Sequence, residues 1–309
     1  MTTIKILSVN ISKEKGTIKE PVESIKLSEV GIKGDAHSGS WHRQISLLAK
    51  ESIDKFALQA VRGFKDGEFA ENITTQGLLL HECHPLDRFK NESIELEVTQ
   101  IGKKCHGDNC AIFREVGNCV MPKEGIFART IIGGVLKAGD ELVYIPKSIK
   151  IHVITLSDRA SKGEYTDRSG PHVQNLAKKY FGEKELPFEF SSSLIPDDPI
   201  LLTDIITKKS KEAVDVIFTT GGTGIGSKDF TPDAVKLLLD KEIPGIMEMI
   251  RVKFGAEKPN ALLSRGIAGT RSKTLIYTLP GSVKAVTEYL QIILPTIQHS
   301  ILMLHDLGH

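Results

Sequence analysis

The sequence predicts an α/β protein in two domains: an irregular β-barrel over residues 1–147, then a doubly wound, mostly parallel sheet with helices on both faces over residues 148–309. Three observations predict this. A chain of 309 residues exceeds the usual single-domain size, so two cores are expected. Up to about residue 145 the apolar runs are short, β-like and separated by turns. Beyond Pro146, Lys147 and Ser148, strand-like and helix-like runs alternate, as in sheets whose crossovers are helices.

The first part reads as strands at IKILSVNI, PVESIKL, SIELEVTQI and DELVYI, with turns at GIKGD, GFKDGE and LKAGDE and one helix over Leu48 to Ala60. Its first chemical cluster is GDAHSGSWHRQISLL, which gathers Asp35, His37, His42 and Arg43 in a Gly-rich loop of the kind that often binds ligands. A plain capped surface loop would have the same composition. Its second cluster, GKKCHGDNCAIFREVGNCVMPKEGIFAR, holds Cys105, His106, Cys110 and Cys119. The spacing lacks the paired CxxC of common structural zinc sites. At Cys105 a reactive thiol is better supported, because Lys103, Lys104 and His106 favour thiolate, whereas Cys110 has apolar neighbours suited to inert burial. Cys83 has no second thiol nearby and reads as incidental.

The second part runs IHVITLS, SGPHVQNLAKKYF, PFEFSSSLI, DDPILLTDIITKKSK, VDVIFTT, PDAVKLLLDK, PGIMEMIRVKF, TLIYTL and SVKAVTEYLQII. In such folds ligands bind beyond the carboxyl ends of the strands. TTGGTGIGSKDFTP, residues 219–232, lies at one such end, where Gly221, Gly222, Gly224 and Gly226 permit positive φ and close approach of backbone N–H groups to an anion. It matches neither the Walker nor the GxGxxG pattern, and alone it would equally be a tight turn. Other strand ends supply Ser157, Asp158, Arg159, Asp167 and Ser169, then Asp197 and Asp198, and then Gly281 and Ser282 at a helix start. Singly, Asp198 and Ser282 read as helix caps. Together, carboxylates beside two phosphate-type loops suggest Mg²⁺ bridging a polyphosphate, with Asp229 at the rim as a metal ligand.

Composition narrows the partners. A formal net charge of +1 gives no reason to expect nucleic acid or a membrane surface. The apolar C-terminal run is broken by Gln291, Pro295, Gln298 and His299, so no bilayer span is expected. The N-terminus turns charged and polar too early for a signal peptide, and a cytoplasmic location is expected.

Two resemblances sharpen these readings. GDAHSG, HRQISLL, NITTQG, GKKCHG, EGIFAR and LKAGDEL make the first part resemble the MOSC domain. This implies a β-barrel that binds molybdenum cofactor or carries sulfur on a cysteine, which maps best onto Cys105. SDRASKGEYTDRSGP, LIPDD, TTGGTGIGSKDFTP, PGIMEMIR, LLSRGIAGTR and LPGS make the second part resemble the molybdopterin adenylyltransferase family, which includes the gephyrin G domain. That resemblance implies transfer of AMP from Mg·ATP to molybdopterin, usually in a trimer, with Asp229 and Asp197 as catalytic, metal-positioning carboxylates. It assigns Gly221, Gly222, Thr223, Gly224 and Thr231 to the nucleotide loop, Glu248 and Arg251 to the pterin side, and Ser264, Arg265, Pro280, Gly281 and Ser282, with Ser157 and Asp158, to the rest of the crevice. The family usually has Arg before the catalytic Asp; here it is Lys228, which keeps the charge but loses the guanidinium fork. The two resemblances together imply a bifunctional protein of molybdenum cofactor biosynthesis with a molybdoenzyme as client. A non-catalytic cofactor-binding and delivery protein is the alternative.

Overall fold

In the computed structural model, which describes residues 2–104 and 118–307, the chain divides into two compact units, residues 1–147 and 148–309. Among the described residues no helix is long and apolar enough to cross a membrane.

The first unit holds β1 (Thr3–Ile11), β2 (Glu20–Val22), β3 (Ser24–Ser28), β4 (Gly31–Ile32), β5 (Ile45–Ala49), α1 (Lys50–Ala60), β6 (Ile73–Gln76), β7 (Arg88–Lys90), β8 (Glu95–Ile101), α2 (Met121–Glu124), β9 (Ile126–Ile132), β10 (Val135–Lys137) and β11 (Glu141–Ile145). The sheet order β11-β7-β8-β9-β5-β6-β1 closes on itself because β1 also pairs with β11. Closure removes the open edges an antiparallel sheet would otherwise present. Ile4 and Ile6, two apart on β1, point inward and meet Ile45, Leu47, Phe89 and Leu142 in one core. α1 starts two residues later than the sequence suggests, since Leu48 and Ala49 are held in β5 by pairing with Thr74 and Thr75 of β6.

The second unit holds β12 (Ile149–Leu156), α3 (Asp158–Ser161), α4 (Ser169–Glu183), β13 (Phe188–Ile195), α5 (Pro199–Lys211), β14 (Val216–Thr220), α6 (Thr231–Lys236), β15 (Lys241–Glu242), α7 (Pro244–Gly255), β16 (Ala268–Arg271), β17 (Thr274–Leu279) and α8 (Val283–Leu304). Its sheet has the order β13-β12-β14-β17-β16-β15. The first four strands are parallel to one another, and β16 pairs antiparallel with β17 on one side and with β15 on the other. β12 leads to β13 on one side while β14 lies on the other, so the order reverses at the β12/β14 boundary. That is where a crevice opens in such sheets. All of β14 and β17 is buried, as strands covered on both faces must be.

Candidate active site at the strand ends of the second unit

Register brings the four loops together. Leu156 lies opposite Ile195, Thr155 opposite Thr220, and Thr220 opposite Leu279, so the loops starting at residues 157, 196, 221 and 280 leave the sheet along one edge. The expected strand-end residues therefore share one rim.

The glycine loop after β14 needs its first two glycines. Gly221 has φ +104° and a side chain there would meet the Leu156 carbonyl at 2.7 Å; Gly222 has φ +64° and would meet Thr231 Oγ1 at 2.5 Å. The loop closes when the Thr231 amide donates to the Gly222 carbonyl at 3.1 Å. Asp229 Oδ2 accepts from the Gly226 amide at 2.8 Å, and Gly224 leaves room for that carboxylate. Gly281 lies alongside, its Cβ position 3.6 Å from the Gly221 Cα, and its carbonyl accepts from Ser169 Oγ at 2.7 Å. Beneath the loop the buried hydroxyls of Thr219, Thr220 and Thr231 have no hydrogen-bond partner among the described residues.

Across the rim, Asp158 and Asp197 hold each other. The Asp197 amide donates to Asp158 Oδ1 at 3.1 Å, and the Asp158 amide donates to Asp197 Oδ2 at 3.4 Å. Lys228 reaches from the glycine loop to Asp158 Oδ2 at 3.0 Å. The Asp197 amide and then the Lys228 ammonium hold the Asp158 carboxyl below its usual range, and Asp158 in turn raises Lys228. Asp197 and Asp229, expected as a metal pair, are not joined by any hydrogen bond, and no cluster of three ligand-type residues occurs among the described residues.

Some candidates do structural work. Ser157 caps α3 by accepting from the Ala160 amide, Asp198 caps α5 by accepting from Ile200 and Leu201, and Ser282 caps α8 by accepting from Ala285. Asp167 accepts from the Ser169 and Gly170 amides and from Thr155 Oγ1. Thr223 is buried and its carbonyl accepts from the Arg265 amide. The Arg265 side chain donates from Nε to the Gly224 carbonyl at 2.8 Å, from Nη2 to the Asp229 carbonyl, and through both Nη atoms to Asp233. Arg251 donates to the Gly266 carbonyl at 3.3 Å, and Tyr289 donates to Ser264 Oγ at 2.6 Å. Glu248 is exposed on α7, and Pro280 is half-buried at the end of β17. Sequence reasoning missed Asp233 and Tyr289; each sits on a helix whose local pattern gives no sign of its loop partner.

In the first unit, Cys105, His106 and Cys110 lie outside the described residues. Cys119 is buried in the core beneath α1, and burial pushes the Cys83 thiol up to about 12. Asp35 is buried as the acceptor for Lys19 Nζ at 2.5 Å, Asn72 Nδ2 at 3.0 Å and the Ser12 amide at 3.1 Å. His37 stands at the edge of this network, with Nδ1 3.3 Å from Lys19 Nζ. Burial, then the nearby charges of Arg43 and Arg129, lowers His42. Lys19 was not foreseen, because it lies between the strands expected at IKILSVNI and PVESIKL, outside both chemical clusters.

Known proteins match both units. The family described as "Probable molybdopterin binding domain" matches residues 152–299, and the MOSC domain matches residues 34–143. A molybdopterin adenylyltransferase of Helicobacter pylori strain J99 is 38% identical over 156 residues, covering 50% of this chain and 87% of its own length. The chain belongs to the molybdopterin adenylyltransferase family. Membership comes through the second unit, with a MOSC domain preceding it. Gephyrin of Dictyostelium discoideum, 41% identical over 157 residues, shares the same region: 49% of this chain and 22% of gephyrin. The solved molybdopterin biosynthesis enzyme MoaB of Thermus thermophilus is 34% identical with a TM-score of 0.46, covering 51% of this chain and 97% of that one.

Proposed function

We propose that this chain acts in molybdenum cofactor biosynthesis as a nucleotidyltransferase whose second unit adenylylates molybdopterin from Mg·ATP. The observation that carries the reading is the shared rim: a glycine loop, with buried hydroxyls beneath it that have no partner among the described residues, faces the Asp158–Asp197 pair at the sheet's switch point. Molybdopterin adenylyltransferases of H. pylori and Haemophilus influenzae match this same unit.

The residues present suit Mg²⁺, a hard cation that takes carboxylate and phosphate oxygens and usually keeps several waters. Asp197 and Asp229 would hold it, and it would neutralise charge on the phosphates. The glycine-loop amides and the N-terminus of α8, at Gly281 and Ser282, would bind phosphate oxygens. Lys228 would exchange Asp158 for the phosphate chain, since both its partners are charge-assisted acceptors. Ser264, Arg251 and Glu248 would line the pterin side. Positioning and charge neutralisation are then the main catalytic effects.

Purified protein incubated with molybdopterin, ATP and Mg²⁺ should form adenylylated molybdopterin, and Asp229→Asn should suppress it at least about a hundredfold. No product above the Asp229→Asn control would reject the reading, and would leave cofactor binding and delivery as the function. The same assay on residues 148–309 tests whether the second unit suffices.

For the MOSC unit the proposal is cofactor binding or sulfur carriage through Cys105. Its flanking Lys103, Lys104 and His106 support it. Cys105 should react with iodoacetamide near neutral pH faster than Cys110 or Cys119; equal rates would remove the case. We place the protein in the cytoplasm, as a trimer serving a molybdoenzyme client.

A further inference from the structure

We propose that Arg265 and Asp233 are positioning residues that set the glycine loop for a phosphate chain, with neither side chain contacting the substrate. The inference rests on the adenylyltransferase reading for its substrate and on geometry for its mechanism.

Count the protons of the Arg265 guanidinium, which has five to give. Nε donates to the Gly224 carbonyl at 2.8 Å, and Nη1 donates to Asp233 Oδ1 at 3.0 Å. Nη2 donates to Asp233 Oδ2 at 2.9 Å and to the Asp229 carbonyl. Four of the five are committed inside the protein, so a ligand would find at most one. The Asp233 carboxylate is committed to the same fork and offsets the guanidinium charge that would otherwise attract a phosphate. The Arg265 amide adds a fifth tie to the segment, donating to the Thr223 carbonyl at 2.9 Å.

The consequence lies on the opposite face of the loop. Across a planar trans peptide the carbonyl of one residue and the N–H of the next point in opposite directions. Turning the Gly224 and Asp229 carbonyls toward Arg265 therefore turns the Ile225 and Phe230 N–H groups away from it. Neither amide donates to an acceptor among the described residues. The fork thus presents two backbone donors, one from the middle of the loop and one from its end, oriented before any ligand arrives. Backbone N–H groups left without an acceptor within the fold suit a nucleotide's phosphate oxygens. Preorganised donors bind without first spending energy on reorientation. Lysine does not reproduce the fork, because its three protons sit on one nitrogen, whereas the planar guanidinium serves four spread acceptor atoms from three nitrogens.

The test uses the full chain with Asp233→Asn and Arg265→Lys. Asp233 is 67% exposed at its side chain, so Asp233→Asn should fold normally. Both variants should raise KM for ATP about tenfold and leave KM for molybdopterin within about twofold. Amide hydrogen exchange in residues 222–230 should quicken, while exchange in β14 stays as in the wild type. Wild-type behaviour of Arg265→Lys in both measurements would overturn the proposal, because charge alone would then suffice. Unchanged exchange with a raised KM for ATP would also overturn it, making Arg265 a direct ligand contact. If the wild type makes no adenylylated product, the function fails separately, and the exchange result alone decides the positioning role.

Discussion

Glu71 shows how much one buried side chain can govern. It is fully buried in the barrel, its Oε1 accepting from the Gly67 amide at 2.6 Å and from Thr74 Oγ1 at 3.0 Å, while Oε2 has no partner among the described residues. Burial pushes its carboxyl up to about 7. A carboxyl raised on folding favours the folded state below its unfolded value near 4.5, and that advantage disappears as pH rises through about 7. Its full size is on the order of 3 kcal/mol. Glu71→Gln, which stays neutral, should remove this part of the barrel's pH dependence between about pH 4.5 and 7. Urea unfolding of both proteins across that range checks it; parallel curves would show that Glu71 stays ionised when folded. Asp35 behaves oppositely. Despite the cost of burial, hydrogen bonds from His37 and Lys19 hold its carboxyl well below the usual range.

Among elements, the glycine loop is the most constrained. Gly222→Ala would put a Cβ on Thr231 Oγ1 at a positive φ, and should cost about 2 kcal/mol of stability in the second unit. A variant as stable as the wild type by chemical denaturation would contradict that. The loop's place was legible beforehand, because alternating strands and helices put every β-to-α connection on one edge. The caps at Asp198 and Ser282 were legible too, each from a short polar residue before a helical pattern. What joins them was not. Asp158 and Asp197 read singly as loop carboxylates, and their mutual hydrogen bonds depend on β12 lying beside β13. Lys228 reads as a cation in place of the family's Arg, while in the folded chain it already has Asp158. Sheet partners were hidden for the same reason. β5 looks like the start of α1 until β6 and β9 lie against it, and the antiparallel edge β16–β15 carries too short a pattern to signal itself. α6 ends at Lys236, short of the helix that PDAVKLLLDK suggests, since Leu238 and Leu239 pack on the core and the Asp240 amide donates to Thr270.

At the scale of the whole molecule, Glu71 in the first unit and His152 in the second answer pH in opposite directions. His152 is buried on β12 between Ser191 Oγ and Ser193 Oγ, and burial lowers it to about 4. Its neutral ring favours folding above its unfolded value near 6.5, and that contribution is lost as pH falls toward 4. Acidification from about pH 7 to 5 should therefore quicken exchange in the second sheet through His152, while in the barrel Glu71 slows it against the opposing effect of His42, whose ring burial also lowers. Hydrogen exchange of the intact chain, corrected for intrinsic rates, reads both at once; a second sheet whose exchange does not quicken on acidification would contradict it. The seam between β1 and β11 has another consequence. It joins Thr3 to Val143, so a growing polypeptide cannot complete the ring until nearly the whole first unit has left the ribosome. Until then β1 waits with that stretch of its edge unpaired, and pairing across so long a span is intrinsically slow. The barrel's first strand is thus among the last to be sealed, and through that interval its unpaired edge is open to pairing with another chain.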